Sequence, residues 1–137
     1  MKRNKTMKLA LIAALSIAPF GLANAICHAI SGQWVASYDE VFGGDTIAGV
    51  GNAIVSGNTI QYWGAESFLG ENTLFFQSGP YTIDQFCNFV WNYTVDDGSS
   101  GVANGIVVNV NQMNVIFSNP VSMRSGRVIL QRLVFFN

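Results

Sequence analysis

The sequence predicts an all-β protein: a single antiparallel up-and-down β-barrel of about eight strands that follows a cleaved signal peptide. Residues 1–25 have the layout of an export signal, and helical periodicity is missing from the remainder. Short runs of Val, Ile, Thr and aromatic residues alternate there with Gly, Asn, Asp and Ser. A barrel is favoured over a sandwich because sequential hairpins pair neighbouring strands in order, and closure of the sheet removes exposed edges.

The first segment has the order of charge and hydropathy that defines a secretory signal. Four basic residues precede an apolar run of about 14 residues, and Ala23-Asn24-Ala25 supplies an A-x-A cleavage pattern. The run is shorter than the roughly 20 residues of a membrane-spanning helix. Lipidation of Cys27 is disfavoured because bulky Ile26 precedes it. We therefore predict cleavage after Ala25, one domain over residues 26–137, and a periplasmic or secreted protein with no transmembrane segment in the mature chain.

Removal of the predicted signal peptide leaves 112 of the 137 residues, and this mature segment has a net negative charge. Four of the seven basic residues leave with it, so three arginines and eight acids remain and the formal charge is −5. This charge provides no electrostatic footprint for nucleic acid or anionic lipid. Export also places the two cysteines, Cys27 and Cys87, in a compartment where disulfides form.

The predicted strands are separated by residues typical of turns. Ser56-Gly57-Asn58 and Asp96-Asp97-Gly98-Ser99 tolerate positive φ. Alternation is clearest over Asn88–Val95, whose odd-numbered residues form an apolar face that we expect in the core. Gly43-Gly44 and the Gly49-x-Gly51 spacing are expected at tight turns or bulges. The nine strand candidates are Gln33–Val41, Thr46–Val55, Thr59–Trp63, Thr73–Gln77, Tyr81–Gln85, Asn88–Val95, Gly105–Val110, Met113–Ser118 and Arg127–Phe135.

Four segments resemble a family of small exported bacterial proteins with a lipocalin-like barrel; in order they are "ISGQW", "AGVGNAIVSGN", "GPYTIDQFCNFVWNYTV" and "NPVSMRSGRVILQR". The resemblance spans roughly Cys27 to Arg132. It implies the barrel and a bridge between Cys27 and Cys87, and it adds nothing on activity. Two positions depart from the pattern: Pro80 stands where the family usually has Thr, and Phe86 stands where Asp usually precedes the cysteine.

The segment from Gly32 to Trp34 also resembles the Gly-x-Trp opening of lipocalins, in which the tryptophan packs across the closed end of the barrel. A core tryptophan on the first strand is the simpler interpretation, and the two are compatible. With the resemblance, we predict that Cys87 lies at the turn before Asn88–Val95 and bonds to Cys27 ahead of the first strand.

The residues do not indicate catalysis or a metal centre. The mature segment has one histidine, His28, close to its predicted start, and it lacks lysine and a Gly-x-Ser-x-Gly motif. Nucleophilic catalysis needs a base beside the nucleophile, and a structural zinc site needs about four ligands. The carboxylate pairs Glu66 with Glu71 and Asp39 with Glu40 are expected to be solvated surface acids. We therefore predict a protein that is not an enzyme and has no cofactor.

The leading functional interpretation is a lipocalin-like barrel that binds a small apolar ligand. The aromatic residues Trp34, Tyr62, Trp63 and Phe68 are the candidate ligand contacts. Side-chain volumes argue for a filled interior, since a barrel of this size has little room left among so many bulky residues.

Two alternatives remain open. The first is an exported protein-interaction module, such as an inhibitor of an envelope enzyme or a host-facing factor, that acts through the predicted loops Phe42–Asp45, Ala65–Asn72 and Asn119–Ser125. The second is a small outer-membrane barrel, suggested by the ending "LVFF" before Asn137. Predicted strands of five or six residues argue against the second, because membrane strands need about 9–11.

Overall fold

The computed structural model describes Cys27, residues 30–119 and residues 124–133, and these form a closed antiparallel barrel. Each strand pairs with the next in the chain, and the last strand pairs with the first. The predicted fold class is therefore confirmed. The predicted signal peptide, its cleavage site and His28 lie outside the described residues. The strands are β1 Gly32–Phe42, β2 Asp45–Ser56, β3 Thr59–Phe68, β4 Glu71–Ile83, β5 Asn88–Val95, β6 Ser100–Asn109, β7 Gln112–Asn119 and β8 Arg124–Arg132.

Two predicted strands, Thr73–Gln77 and Tyr81–Gln85, are one continuous strand, β4, so the separate prediction is wrong. Ser-Gly-Pro at 78–80 is not a turn but a point where β4 and β5 approach closely. A Cβ at Gly79 would overlap the carbonyl oxygen of Asn92. The glycine therefore permits the close approach of the β5 backbone, and Pro80 continues the strand opposite Thr59.

The strands have 8 to 13 residues, and most are longer than predicted, whereas β5 matches the candidate Asn88–Val95 and β8 has the predicted length of 9 residues. β3 continues to Phe68, so the predicted loop Ala65–Asn72 is mostly paired strand with a two-residue hairpin at Leu69-Gly70. Both turn residues have positive φ, as the hairpin geometry requires. The short-strand argument against a membrane barrel is therefore wrong. Within the described residues, no helix is long and apolar enough to cross a bilayer.

The core follows the period-two alternation of the strands. On β5, Phe89, Trp91 and Tyr93 are buried, as predicted, and their neighbours face outward. Gly43-Gly44 forms the predicted turn, with φ of 59° and 97°. The Gly49-x-Gly51 spacing is a different case, because the β1–β2 register runs through it without a bulge and both glycines face the interior.

One end of the barrel is closed by side chains and by a disulfide. Trp34 is fully buried, and its indole Nε1 donates a 2.9 Å hydrogen bond to the carbonyl oxygen of Ile30. The Arg132 guanidinium lies 4.8 Å from the centre of the Trp34 ring. The Cys27–Cys87 bridge is confirmed, and Cys87 lies at the predicted turn between β4 and β5.

Candidate functional site

The barrel interior is shaped by aromatic rings that lie across from glycines. Phe75 on β4 pairs with Gly64 on β3, and a Cβ at Gly64 would overlap the Phe75 ring. Each such glycine lets a ring lie flat along the barrel wall rather than across its centre. Space therefore remains along the axis. The cross-strand ring and glycine pairs are Tyr38–Gly49, Phe75–Gly64, Tyr93–Gly101, Phe89–Gly105 and Phe117–Gly126.

The interior encloses a cavity of about 260 Å³, so the expectation of a filled barrel is wrong. This volume lies just below the lower end of ligand pockets, roughly 300 Å³. Exposed residues of the β5–β6 turn, Asp96 and Asp97, belong to the lining, so the cavity reaches the end opposite the disulfide. The apolar wall includes Ala53, Val55, Ile60, Phe75, Phe89, Trp91, Ala103, Met113, Val115, Phe117, Val128 and Leu130.

Three charged side chains meet inside the barrel near this open end. Arg124 on β8 contacts Glu40 on β1, with 2.7 Å between Nε and Oε1. It also reaches Glu66 on β3, with 2.9 Å between Nη2 and Oε1. Both carboxylate side chains are almost completely buried, whereas 30% of the arginine side chain is exposed. These three residues, which we call the mouth cluster, therefore place two buried carboxylates on one guanidinium.

Burial and neighbouring charges shift the pKa values of Glu40 and Arg124. Burial raises the pKa of Glu40, and Glu66 adds to the increase, while Arg124 opposes it. Burial alone would lower the pKa of Arg124, but the hydrogen bond and charge of Glu66, with the charge of Glu40, outweigh it and the pKa is raised. The cluster thus holds its guanidinium charged and resists full ionisation of Glu40.

Three tyrosines extend the polar lining downward from the mouth cluster. The Tyr38 hydroxyl donates to Glu66 Oε2 at 3.4 Å. Burial raises the pKa of Tyr93 to about 12, with a further contribution from the charge of Glu40. The pKa values of Tyr38 and Tyr62 are raised well beyond the ordinary tyrosine range by burial and by neighbouring carboxylates. All three are therefore neutral hydrogen-bonding groups at physiological pH.

The Tyr62 hydroxyl is a buried polar group without a protein hydrogen-bond partner among the described residues. The residue is 6% exposed. The hydroxyl lies beside the backbone of Gly51, where only glycine leaves room for it. An unpaired buried hydroxyl costs roughly 1–3 kcal/mol. A group that enters the cavity could recover this cost.

The four predicted ligand contacts fall in four different places. Tyr62 lines the cavity. Trp34 is outside the lining and plugs the closed end, while Trp63 is 43% exposed on the outer face with its ring 5.1 Å from that of Phe76. Phe68 lies at the open rim, where its ring meets that of Phe42 edge-on. Of the four, Tyr62 is thus the one whose side chain borders the interior space.

The sequence interpretation missed the mouth cluster. Glu40 and Glu66 were expected to be solvated, yet both are buried. The signal was present in the strand parity, since Glu40 shares a face with Trp34 and Tyr38, and Glu66 shares one with Tyr62. Arg124 connects Glu40 and Glu66 across three strands that are separated along the sequence, and no local pattern indicates this contact. The described residues contain no group of three or more His, Cys, Asp or Glu placed to hold a metal ion.

Fold and site define a small closed barrel of eight antiparallel strands with an interior cavity. No protein-family model matches the chain, and no curated protein matches it. Solved structures of designed barrels do resemble it. The structure titled "EF1p2_mFAP2b bound to DFHBI" has a TM-score of 0.61 and 9% identity over 81% of this chain and 98% of that one.

Two redesigned beta barrels also resemble the chain. One, mFAP0 bound to DFHBI, has a TM-score of 0.55 and 13% identity over 77% of this chain and 100% of the other. The second, b11L5F_LGL, has a TM-score of 0.57 and 12% identity over 80% of this chain and 96% of that one. At these identities the likeness shows the eight-stranded barrel fold.

Proposed function

We propose that the protein is an exported barrel that binds a small, largely apolar ligand in its interior, without catalysing a reaction. The observation that carries this proposal is the cavity of about 260 Å³, lined mainly by aliphatic and aromatic side chains. Concave apolar sites with a few convergent polar groups are the usual form of a small-molecule site. The similar designed barrels mFAP0 and mFAP1 were solved bound to a small molecule, DFHBI, which supports the proposal by analogy of fold.

The experiment is a thermal-shift and fluorescence titration with one-ring and two-ring apolar molecules, such as toluene and tetralin, which leave tryptophan emission free of ligand signal. Trp91 lines the cavity and provides an intrinsic fluorescence probe. We expect saturable binding that is lost in Ala53→Leu, which fills the cavity from its wall. Ala65→Leu on the outer face of β3 is the matched control and should leave binding intact. Equal binding to both variants would refute an interior site.

A second candidate function is the protein-interaction module, and an apolar outer face supports it. Val50, Ala65 and Leu74 lie side by side across β2, β3 and β4, and Leu74 is 80% exposed. Trp63 and Phe76 continue this face in the next row. The test is a pull-down from envelope extract, in which Leu74→Asp should lose a partner that Ile129→Asp on β8 retains. Recovery of the same proteins with both variants would contradict it.

A further inference from the structure

From the mouth cluster and the unpaired Tyr62 hydroxyl, we infer that the cavity ligand is a small organic cation: an apolar body of about one aromatic ring that carries a protonated amine. This inference rests on the proposed ligand-binding function and specifies the chemical class of the ligand. The ammonium group would lie between the buried carboxylates and Tyr62, and the apolar body would occupy the cavity below.

The first argument is charge balance. Glu40 and Glu66 share one guanidinium, so ionisation of both carboxyl groups would leave one negative charge uncompensated in a mostly buried site, and a cationic ligand would neutralise it. Buried charges are costly unless they are paired. The other two described arginines cannot supply the missing charge. Arg127 is 77% exposed and faces Asp39 outside the barrel, and Arg132 lies over Trp34 at the closed end.

The second argument is the field along the cavity. Burial is the largest cause of the raised pKa values of Tyr38 and Tyr62, and the carboxylates of Glu66 and Glu40 raise them further. The lining also includes Asp96 and Asp97 at the exposed rim, which add negative charge on the entry path. A positive ligand would be attracted to this opening, and a carboxylate ligand would be repelled.

The third argument is the geometry of the donors and rings. An ammonium group has three N–H donors. The Tyr62 hydroxyl can accept one, and it lies on the same cavity as the carboxylates. The rings of Tyr38 and Tyr62 both lie close to that of Phe75, at 6.2 Å and 5.8 Å between centroids, and all three residues line the cavity. Such walls favour organic cations through their negative π faces.

The test compares three molecules of nearly equal shape on the purified, oxidised protein by calorimetric titration. They are 2-phenylethylamine, 2-phenylethanol and 3-phenylpropanoate, which differ in the charge of the terminal group. We expect the amine to bind about tenfold or more tightly than the alcohol, as for hydrogen bonds to charged groups, and the acid to bind weakest. Alcohol binding equal to or tighter than amine binding would overturn the inference and leave the proposed function standing. Failure of all three to bind would overturn both.

Two variants test whether the preference for the amine over the alcohol depends on the mouth cluster and the Tyr62 hydroxyl. In Glu66→Gln the ratio of amine to alcohol affinity should fall about tenfold, and Tyr62→Phe should reduce it to a smaller degree. Asp39→Asn removes the same charge from the outer surface and should leave the ratio unchanged, since Asp39 lies outside the barrel. If Glu66→Gln does not fold, Glu40→Gln serves in its place. A ratio that is unaltered in both glutamine variants would overturn the assignment.

Discussion

Glu40 is the residue whose protonation should control the stability of the barrel most directly. Its pKa is raised, chiefly because folding removes the carboxyl group from water. Between the ordinary glutamate pKa and this raised value, the folded protein holds a proton that the unfolded chain has released. The contribution of Glu40 to stability is therefore fully present at low pH and is lost as pH rises through the folded pKa.

We expect the stabilising effect of Glu40→Gln, relative to the parent protein, to be larger at neutral pH than at pH 4. Glutamine stays neutral, and Arg124 keeps its contact with Glu66. The measurement is the melting temperature of both proteins from pH 4 to pH 8. The difference, variant minus parent, should grow as pH rises. Asp39→Asn, on the outer surface, is the control for a simple change in net charge. A difference that shrinks with rising pH would contradict the assignment.

Exposed aspartates in the turns act in the opposite direction. Hydrogen bonds from the Asn88 side chain and backbone hold the pKa of Asp84 below its usual range, and those from Ser99 do so for Asp97. Their contribution is present above the ordinary aspartate pKa and is lost as pH falls through the lowered values. The contributions of Glu40 and of the turn aspartates to stability can be separated, because the first changes above the ordinary glutamate pKa and the second changes below the ordinary aspartate pKa.

At the scale of the strand pair, the ring and glycine contacts decide whether the barrel is hollow. Gly64 on β3 lies under the Phe75 ring of β4, so an added methyl group must displace the ring toward the cavity. The gain from the lower backbone entropy of alanine in the unfolded chain is about 0.4–1 kcal/mol. Overpacking costs more, typically 1–3 kcal/mol.

Gly64→Ala should therefore destabilise the protein by about 1–2 kcal/mol. In a Phe75→Ala background the obstruction is gone, so the same change should be neutral or stabilising. Urea unfolding of the parent, the two single variants and the double variant measures this coupling. Equal effects of Gly64→Ala in both backgrounds would show that the ring is not the cause.

At the scale of the whole molecule, the disulfide joins the segment before β1 to the β4–β5 turn across 60 positions of sequence. Cys27 is fully buried, and Trp34 and Ile30 pack at the same end. Closing a loop of this length removes entropy from the unfolded chain worth about 4 kcal/mol on the chain-entropy model. The bridge therefore carries a large share of the stability of a domain of this size.

Reduction of the bridge should lower the free energy of unfolding by about 4 kcal/mol. Denaturant unfolding with and without reductant measures the change, and the double variant Cys27→Ala, Cys87→Ala should match the reduced parent. The same variant should show no effect of reductant. An unchanged midpoint in the reduced parent would show that the closed end is held by side-chain packing alone.

The amino-acid sequence by itself determined the fold class, several of the turn positions and the core face of β5. These features follow from period-two alternation and from residues that accept positive φ, which are local properties. The sequence also predicts an acidic mature segment, and the family resemblance added the disulfide pairing. Local patterns gave the wrong strand boundary at Ser-Gly-Pro 78–80, because Gly79 there accommodates the backbone of β5 rather than forming a turn.

The tertiary structure alone decided what the interior contains. Glu40, Glu66 and Arg124 lie on β1, β3 and β8, and only a closed sheet brings them within hydrogen-bond distance. Similarly, the cavity exists because glycines on one strand lie opposite rings on the next, and that register is a property of the paired sheet. The number of bulky side chains in the sequence predicts a filled barrel interior. In the paired strands of the barrel, however, those rings lie along the wall, and the cavity on the barrel axis remains open as a result.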